Sequence, residues 1–179
     1  MKRKKILIIF ILIALAILGN NIYKNVLEYI YKRDYSEYVE KYSEMYNVDE
    51  NFVYAIIKNE SNFDSDAKSS AGAVGLMQIM EETAEDVSVD LEINEYDLYS
   101  PNDNIQIGTK YFSYLLEKYK EPTLALAAYN AGLGNVDEWI KKGIIKPDGT
   151  DYENIPFKET NMYVRKILRD YEIYISKIS

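Results

Sequence analysis

Residues 59–80 read Asn59-Glu-Ser-Asn-Phe-Asp-Ser-Asp-Ala-Lys-Ser-Ser-Ala-Gly-Ala-Val-Gly-Leu-Met-Gln-Ile-Met80, and this stretch decides the fold. It opens on a carboxylate, Glu60, that ends an apolar helical pattern carrying Phe52, Val53, Ile56 and Ile57. Asp49 stands where that helix needs an N-cap. A loop of Gly, Ala and Ser follows, small enough to let the chain approach a ligand closely. The pattern predicts a return to helix from Gln78 to about Val87. A carboxyl at a helix end in a partly apolar cleft has its pKa raised by desolvation and can act as a general acid near neutral pH.

Outward from this stretch, the helical signals continue. Residues 91–99 read as an irregular connection. Ser100-Pro101 is a start signal, with Ser as cap and Pro at the first position. A long amphipathic helix then carries Ile105, Gly108, Tyr111, Phe112, Leu115 and Leu116 to about Tyr119. Pro122 opens a helix that is apolar nearly all round and so buried, ended by Gly132 and Gly134. A short helix from Asn135 to Lys142 holds the only tryptophan, Trp139. Pro147-Asp148-Gly149 is a turn. Pro156 precedes a last helix with Tyr163, Ile167, Leu168, Tyr171 and Ile175. Strand signals are few, so the expected body is all-α or nearly so.

The N-terminus is of a different kind. Lys2, Arg3, Lys4 and Lys5 precede an unbroken apolar run from Ile6 to Leu18. This is the pattern of a secretory signal or signal anchor. Extended to Tyr23, the run approaches the roughly 17–25 residues of a spanning helix. An uncleaved anchor over 1–23 is favoured over a cleaved signal, with the basic end inside and the body outside. Residues 24–46 carry Tyr31, Tyr35, Tyr38, Tyr42 and Tyr46 at three- and four-residue steps and read as a helical stalk that docks on the body. The body is then 47–179.

Composition removes several chemistries. The 179 residues contain no Cys and no His. That excludes a disulfide framework, Ser-His and Cys-His catalysis, and His-ligated zinc. Acid–base work near neutral pH falls to a carboxylate, Lys or Tyr. The net charge is −8 despite the basic N-terminus, which argues against nucleic acid as partner. Gly132-Leu133-Gly134 follows a helix and lacks a third Gly, so it is no dinucleotide fingerprint. Asp64-Ser65-Asp66 begins like a calcium loop, but Lys68 and Ser69 stand where a ligand and Gly are needed. No metal and no organic cofactor is implied.

Four blocks carry a resemblance: Glu60-Ser61-x-Phe63; Gly72-Ala73-x-Gly75-Leu76-Met77-Gln78-Ile79-Met80; Ala127-Ala128-Tyr129-Asn130-Ala131-Gly132; and Ile155-Pro156-x-x-Glu159-Thr160-x-x-Tyr163-Val164. In this order they resemble the soluble-type lytic transglycosylases, lysozyme-like enzymes that cleave peptidoglycan. The resemblance covers about residues 48–170. It implies a lysozyme-like helical domain with Glu60 as the single catalytic acid and base. Glu60 would protonate the oxygen between N-acetylmuramic acid and N-acetylglucosamine. It would then take the proton of the muramic C6 hydroxyl as that oxygen closes a 1,6-anhydro ring, with the substrate's own 2-acetamido group in place of a carboxylate nucleophile.

By the same resemblance, Ser69, Gln78, Met80, Tyr129, Asn130 and Glu159 match substrate-groove residues. Four of them have a blander reading. Ser69 can cap loop backbone, Met80 can be core, Tyr129 can be packing with a satisfied hydroxyl, and Glu159 can simply favour a helix start. Two positions depart from the family pattern: Glu81 stands where Pro is common, and Asn161 where Arg is common. The implied partners are peptidoglycan strands, the membrane through the N-terminal helix, and a secretion, conjugation or division machine. The expected state is a monomer, with its catalytic body outside the cytoplasm. A hydrolytic muramidase of the goose-lysozyme kind and a non-catalytic wall-binding component are the alternatives.

Overall fold

A computed structural model describes residues 2–178, with side chains described from Leu12 to Ser176 except Ala14. Among the described residues the regular elements are helical: α1 (Lys2–Ile30), α2 (Ser36–Tyr46), α3 (Glu50–Glu60), α4 (Glu81–Asp90), α5 (Pro101–Tyr119), α6 (Pro122–Ala131), α7 (Leu133–Lys141) and α8 (Lys158–Ile178), with a single 3-10 turn at Tyr152–Asn154. The all-α expectation holds. The chain divides into two compact units, 1–33 and 34–179.

The N-terminal unit contains one helix, α1, over Lys2–Ile30. Of its described side chains, Leu12, Ile13, Leu15, Ile17, Leu18 and Ile22 are exposed. Most of the apolar run of the expected anchor, residues 6–11 and Ala14, lies outside the described side chains. Among the described residues no helix is long and apolar enough to cross a membrane.

In the second unit α3, α5, α6 and α8 form the centre. Helix α3 packs on α8, α5 on α6, and α6 on α8. Helix α3 is buried almost all round, from Asn51 to Ile57, as is α6 from Leu124 to Ala128. Of the residues read as a stalk, 36–46 form α2, which packs on α5 and α3 within this unit. Val39 and Tyr42 supply its buried face. Tyr42 donates to Asn102 Oδ1 at 2.7 Å, and Ser113 donates to the Tyr46 carbonyl at 2.8 Å, so hydrogen bonds as well as apolar contacts hold α2 to α5.

The caps follow the sequence signals. Asp49 accepts from the Asn51 amide at 2.9 Å. Ser100 stands before Pro101 at the α5 start. The difference lies at α4. The helix expected from Gln78 begins instead at Glu81, because Gln78 is left-handed, with φ 48°, and Ile79 pairs in a short antiparallel bridge with Val74. Glu81 and Glu82 occupy the first turn of α4, where negative charge is favoured by the helix dipole.

Candidate active site

Helix α3 ends on Glu60, and the reason is local. Asn62 and Phe63 are both left-handed, with φ 51° and 67°. Two successive residues in that region break the helix and cost of order 1–3 kcal/mol each, so packing must hold them. Phe63 is buried and faces the Tyr54 ring at 6.5 Å between centroids. Ser61 Oγ donates to the Leu76 carbonyl at 2.9 Å, tying the residue after Glu60 to the returning loop.

The loop from 61 to 80 is folded on itself. Ser69 N donates to Ala73 O at 2.9 Å, Gly75 N donates to Ala67 O at 2.8 Å, and Val74 and Ile79 donate to each other at 3.0 Å. Asn104 on α5 holds it from below. This buried amide accepts from Met77 N at 2.8 Å and donates to Val74 O at 2.9 Å and Leu98 O at 2.8 Å. Gly75, at φ 77°, lies so close to the Asn104 side chain and the Leu98 carbonyl that a Cβ would collide with both.

The Glu60 carboxyl is largely withdrawn from water, and its pKa is pushed up to about 7. Burial is the main cause, and the negative charge of Glu159 adds to it. A hydrogen-bonding interaction with Tyr163 opposes it. Tyr163 Oη is buried on α8 without a hydrogen bond of full geometry. Catalytic hydrogen bonds are often long or poorly aligned before substrate arrives. Both Tyr163 and Tyr129 are raised well above the ordinary phenol value by burial and by the nearby Glu60 charge, so both remain neutral donors.

Not every expected groove residue points the same way. Tyr129 is near Glu60, but its hydroxyl donates to the Met77 carbonyl at 2.8 Å. Its ring packs against Tyr111 and Phe112. Asn130 is exposed and accepts from Thr160 Oγ1 at 2.7 Å, joining α6 to α8. Glu159 is exposed in the first turn of α8. Ser69 Oγ accepts from the Ala73 amide at 2.9 Å, which is the loop-capping role, and leaves its own proton to donate. Gln78 spends its amide on the Ala67 and Gly75 carbonyls, so it builds the loop first. Met80 is 42% exposed, which removes the core reading. Asn161 donates to the Tyr152 and Glu153 carbonyls and accepts from Arg165 Nε at 2.8 Å.

Tyr163 and Asn104 were not singled out by sequence reasoning. Tyr163 stood inside a quoted block, so its position was visible and its role was not. Asn104 had no signal, since its partners lie far along the chain. A cavity of about 700 Å³ adjoins the site between α4, α5 and the Gly132 turn, walled by Asp86, Asp90, Tyr111 and Tyr114. Glu60 lies outside its wall, and the Tyr111–Tyr129 ring contact at 5.5 Å links the two.

A helical body whose central helix ends on a carboxyl largely withdrawn from water, with its pKa pushed up to about 7, has the build of a lysozyme-like domain. The Transglycosylase SLT domain model matches residues 37–148, more than half of the sequence, and the chain belongs to that family. It is 35% identical over 146 residues to the soluble lytic murein transglycosylase of Salmonella typhimurium, covering 78% of this chain and 22% of that protein. It is 32% identical over 150 residues to membrane-bound lytic murein transglycosylase C of Edwardsiella ictaluri, covering 76% of this chain and 40% of that protein. Among solved structures, an inactive Glu-to-Gln mutant of the lytic transglycosylase Slt from Pseudomonas aeruginosa superposes with a TM-score of 0.77 at 33% identity. That match covers 85% of this chain and 25% of the other. The chain therefore spans about a quarter to two fifths of the relatives it matches.

Proposed function

We propose that this protein is a peptidoglycan lytic transglycosylase with Glu60 as its only acid–base group. The observation that carries this is the Glu60 carboxyl, largely withdrawn from water at the end of α3, with its pKa pushed up to about 7. At neutral pH a large fraction is protonated and can donate to the glycosidic oxygen. The bond from that oxygen to the muramic C1 breaks, and the 2-acetamido oxygen supports C1. The muramic C6 hydroxyl then attacks C1 and passes its proton to Glu60, which returns to its starting state. No water is consumed. Tyr163 supports the carboxylate form between the two transfers, and neutral Tyr129 holds the loop carbonyl beside it. That a related enzyme is inactivated by one glutamate-to-glutamine change is in keeping with this reading.

Ser69, through its free proton, and Asn130, Glu159, Met80 and Gln78 supply the groove in this proposal. The N-terminal segment through residue 23 acts as the membrane anchor, with α1 as its helix and the catalytic body outside the cytoplasm. The four basic residues before the apolar run support that orientation. A relative that is itself membrane-bound is consistent with it. Cell fractionation with and without residues 1–24 tests the tether, and equal partition of both forms would contradict it. Muropeptide mass spectrometry tests the reaction. Anhydro products, one water lighter than hydrolysed ones, are expected from the wild type and are absent with Glu60→Gln. A hydrolytic muramidase would give reducing-end products, and a non-catalytic wall binder would give neither.

A further inference from the structure

Asp170, seven residues beyond Tyr163 on α8, is fully buried. A carboxylate in such a place must be met by donors, and for one of its oxygens these come from the last turn of α3. Lys58 Nζ lies 2.7 Å from Asp170 Oδ2. Asn59 Nδ2 donates to the same oxygen at 2.9 Å. Arg169 holds the other oxygen with Nε at 2.9 Å and Nη2 at 2.8 Å. So the two residues immediately before Glu60 are fastened to one oxygen on α8, while the residue immediately after it, Ser61, is fastened to Leu76 O.

Resting on the reading of Glu60 as the acid, we propose that Asp170 is a positioning residue. It locks the end of α3 in register with α8 and thereby aims the Glu60 carboxyl at Tyr163. The physical case is one of lever arms. Glu60 follows a helix that stops at two strained residues, so its side chain is fixed only as well as the turn beneath it. Tyr163 and Asp170 share a helix, two turns apart on the same side. Holding 58 and 59 against Asp170 fixes 60 against 163. Charge-assisted bonds suit this task, being shorter and more directional than neutral ones. Asn59 also donates to the Ala55 carbonyl, which keeps its amide in line with the helix.

The charged and polar groups that bear on Glu60 are Tyr163 and Glu159 on α8 and Tyr129 on α6. Asp170 reaches Glu60 through the last turn of α3, which it holds. Releasing α3 lets the carboxyl turn toward water, and its titration moves down toward the ordinary range. The test is Asp170→Asn, with Asn59→Ala as a second variant that leaves the Lys58 ion pair in place. Two readouts serve: the ¹³C carboxyl shift of Glu60 against pH, and kcat and KM for release of soluble product from purified wall. Both variants are expected to lower the Glu60 titration midpoint. Each should cut kcat by tenfold or more for Asp170→Asn and about threefold for Asn59→Ala, with KM within twofold of wild type. If both variants fold and the Glu60 titration is unmoved, Asp170 is a stability residue only and the proposal is wrong. If Asp170→Asn does not fold, an unmoved titration in Asn59→Ala overturns it equally. Because the titration needs no turnover, a wild-type protein that released no anhydro product would sink the reading of the reaction while leaving the positioning claim open to its own test.

Discussion

Glu60 combines two properties that oppose each other. Burial makes its neutral form the stable one, and Tyr163 makes its charged form accessible. In the proposed reaction this one group both gives and takes a proton, and that needs such a balance. Its neighbours should therefore tune it in opposite directions. Removing the Tyr163 hydroxyl (Tyr163→Phe) deletes the interaction that lowers the Glu60 pKa, so the alkaline limb of kcat/KM is expected to move to higher pH. Removing the Glu159 charge (Glu159→Gln) deletes the interaction that raises it, so the limb should move to lower pH. A pH–rate series on the two variants checks both signs, and shifts of the same sign would refute the arrangement. In the wild type kcat/KM should fall as pH rises through about 7, where Glu60 loses the proton it must donate.

At the scale of elements, the loop from 61 to 80 is the part least like its sequence. Its small residues announced a close-approaching chain, and its composition did not announce that Val74 and Ile79 would pair. The amphipathic reading carried helix from Gln78 onward, and the left-handed Gln78 stopped it. Local pattern cannot see what Asn104 does, because that amide caps three loop groups from 27, 30 and 6 residues away. By contrast, Asp49, Ser100, Pro101 and Pro122 act on groups within a turn of themselves, and their signals were legible. Of the blocks quoted from the sequence, those holding Glu60, Tyr129 and Glu159 are brought near one another by the fold. Which side chains face the carboxyl, and which merely build the loop as Gln78 does, required packing.

The loop makes two stability expectations of its own. Asn104→Ala leaves the Met77 amide and the Leu98 carbonyl without the partner Asn104 gives them, while Val74 O keeps the Ile79 amide, and should cost about 2 kcal/mol or more in denaturant unfolding. Gly75→Ala combines a positive φ with collisions against Asn104 and Leu98, and should cost at least about 2 kcal/mol. Both should reduce activity beyond their effect on folded fraction, since Met77 O is the acceptor for Tyr129. Melting that matched wild type in either variant would contradict this account of the loop.

For the whole molecule, the raised Glu60 pKa is a stability statement. A folded-state pKa of about 7 against an ordinary 4.5 means the native state holds this proton more tightly than the unfolded chain does. The resulting stabilisation is fully present below about pH 4.5 and is lost as pH rises through about 7. A shift of that size corresponds to at most about 3 kcal/mol. Glu60→Gln keeps the shape without the charge, so its melting temperature should exceed wild type at pH 8 by several degrees and converge with it near pH 5. A site that costs stability for activity behaves this way. A constant difference across that range would mean Glu60 titrates normally in the folded protein.

The most direct measurement remains the product itself. Purified peptidoglycan treated with the wild-type protein and with Glu60→Gln, then resolved by mass spectrometry, reports both the reaction and its acid. The account expects 1,6-anhydro muropeptides from the wild type and a loss of at least about a hundredfold in Glu60→Gln. Reducing-end products from the wild type, or unchanged anhydro release from Glu60→Gln, would contradict it.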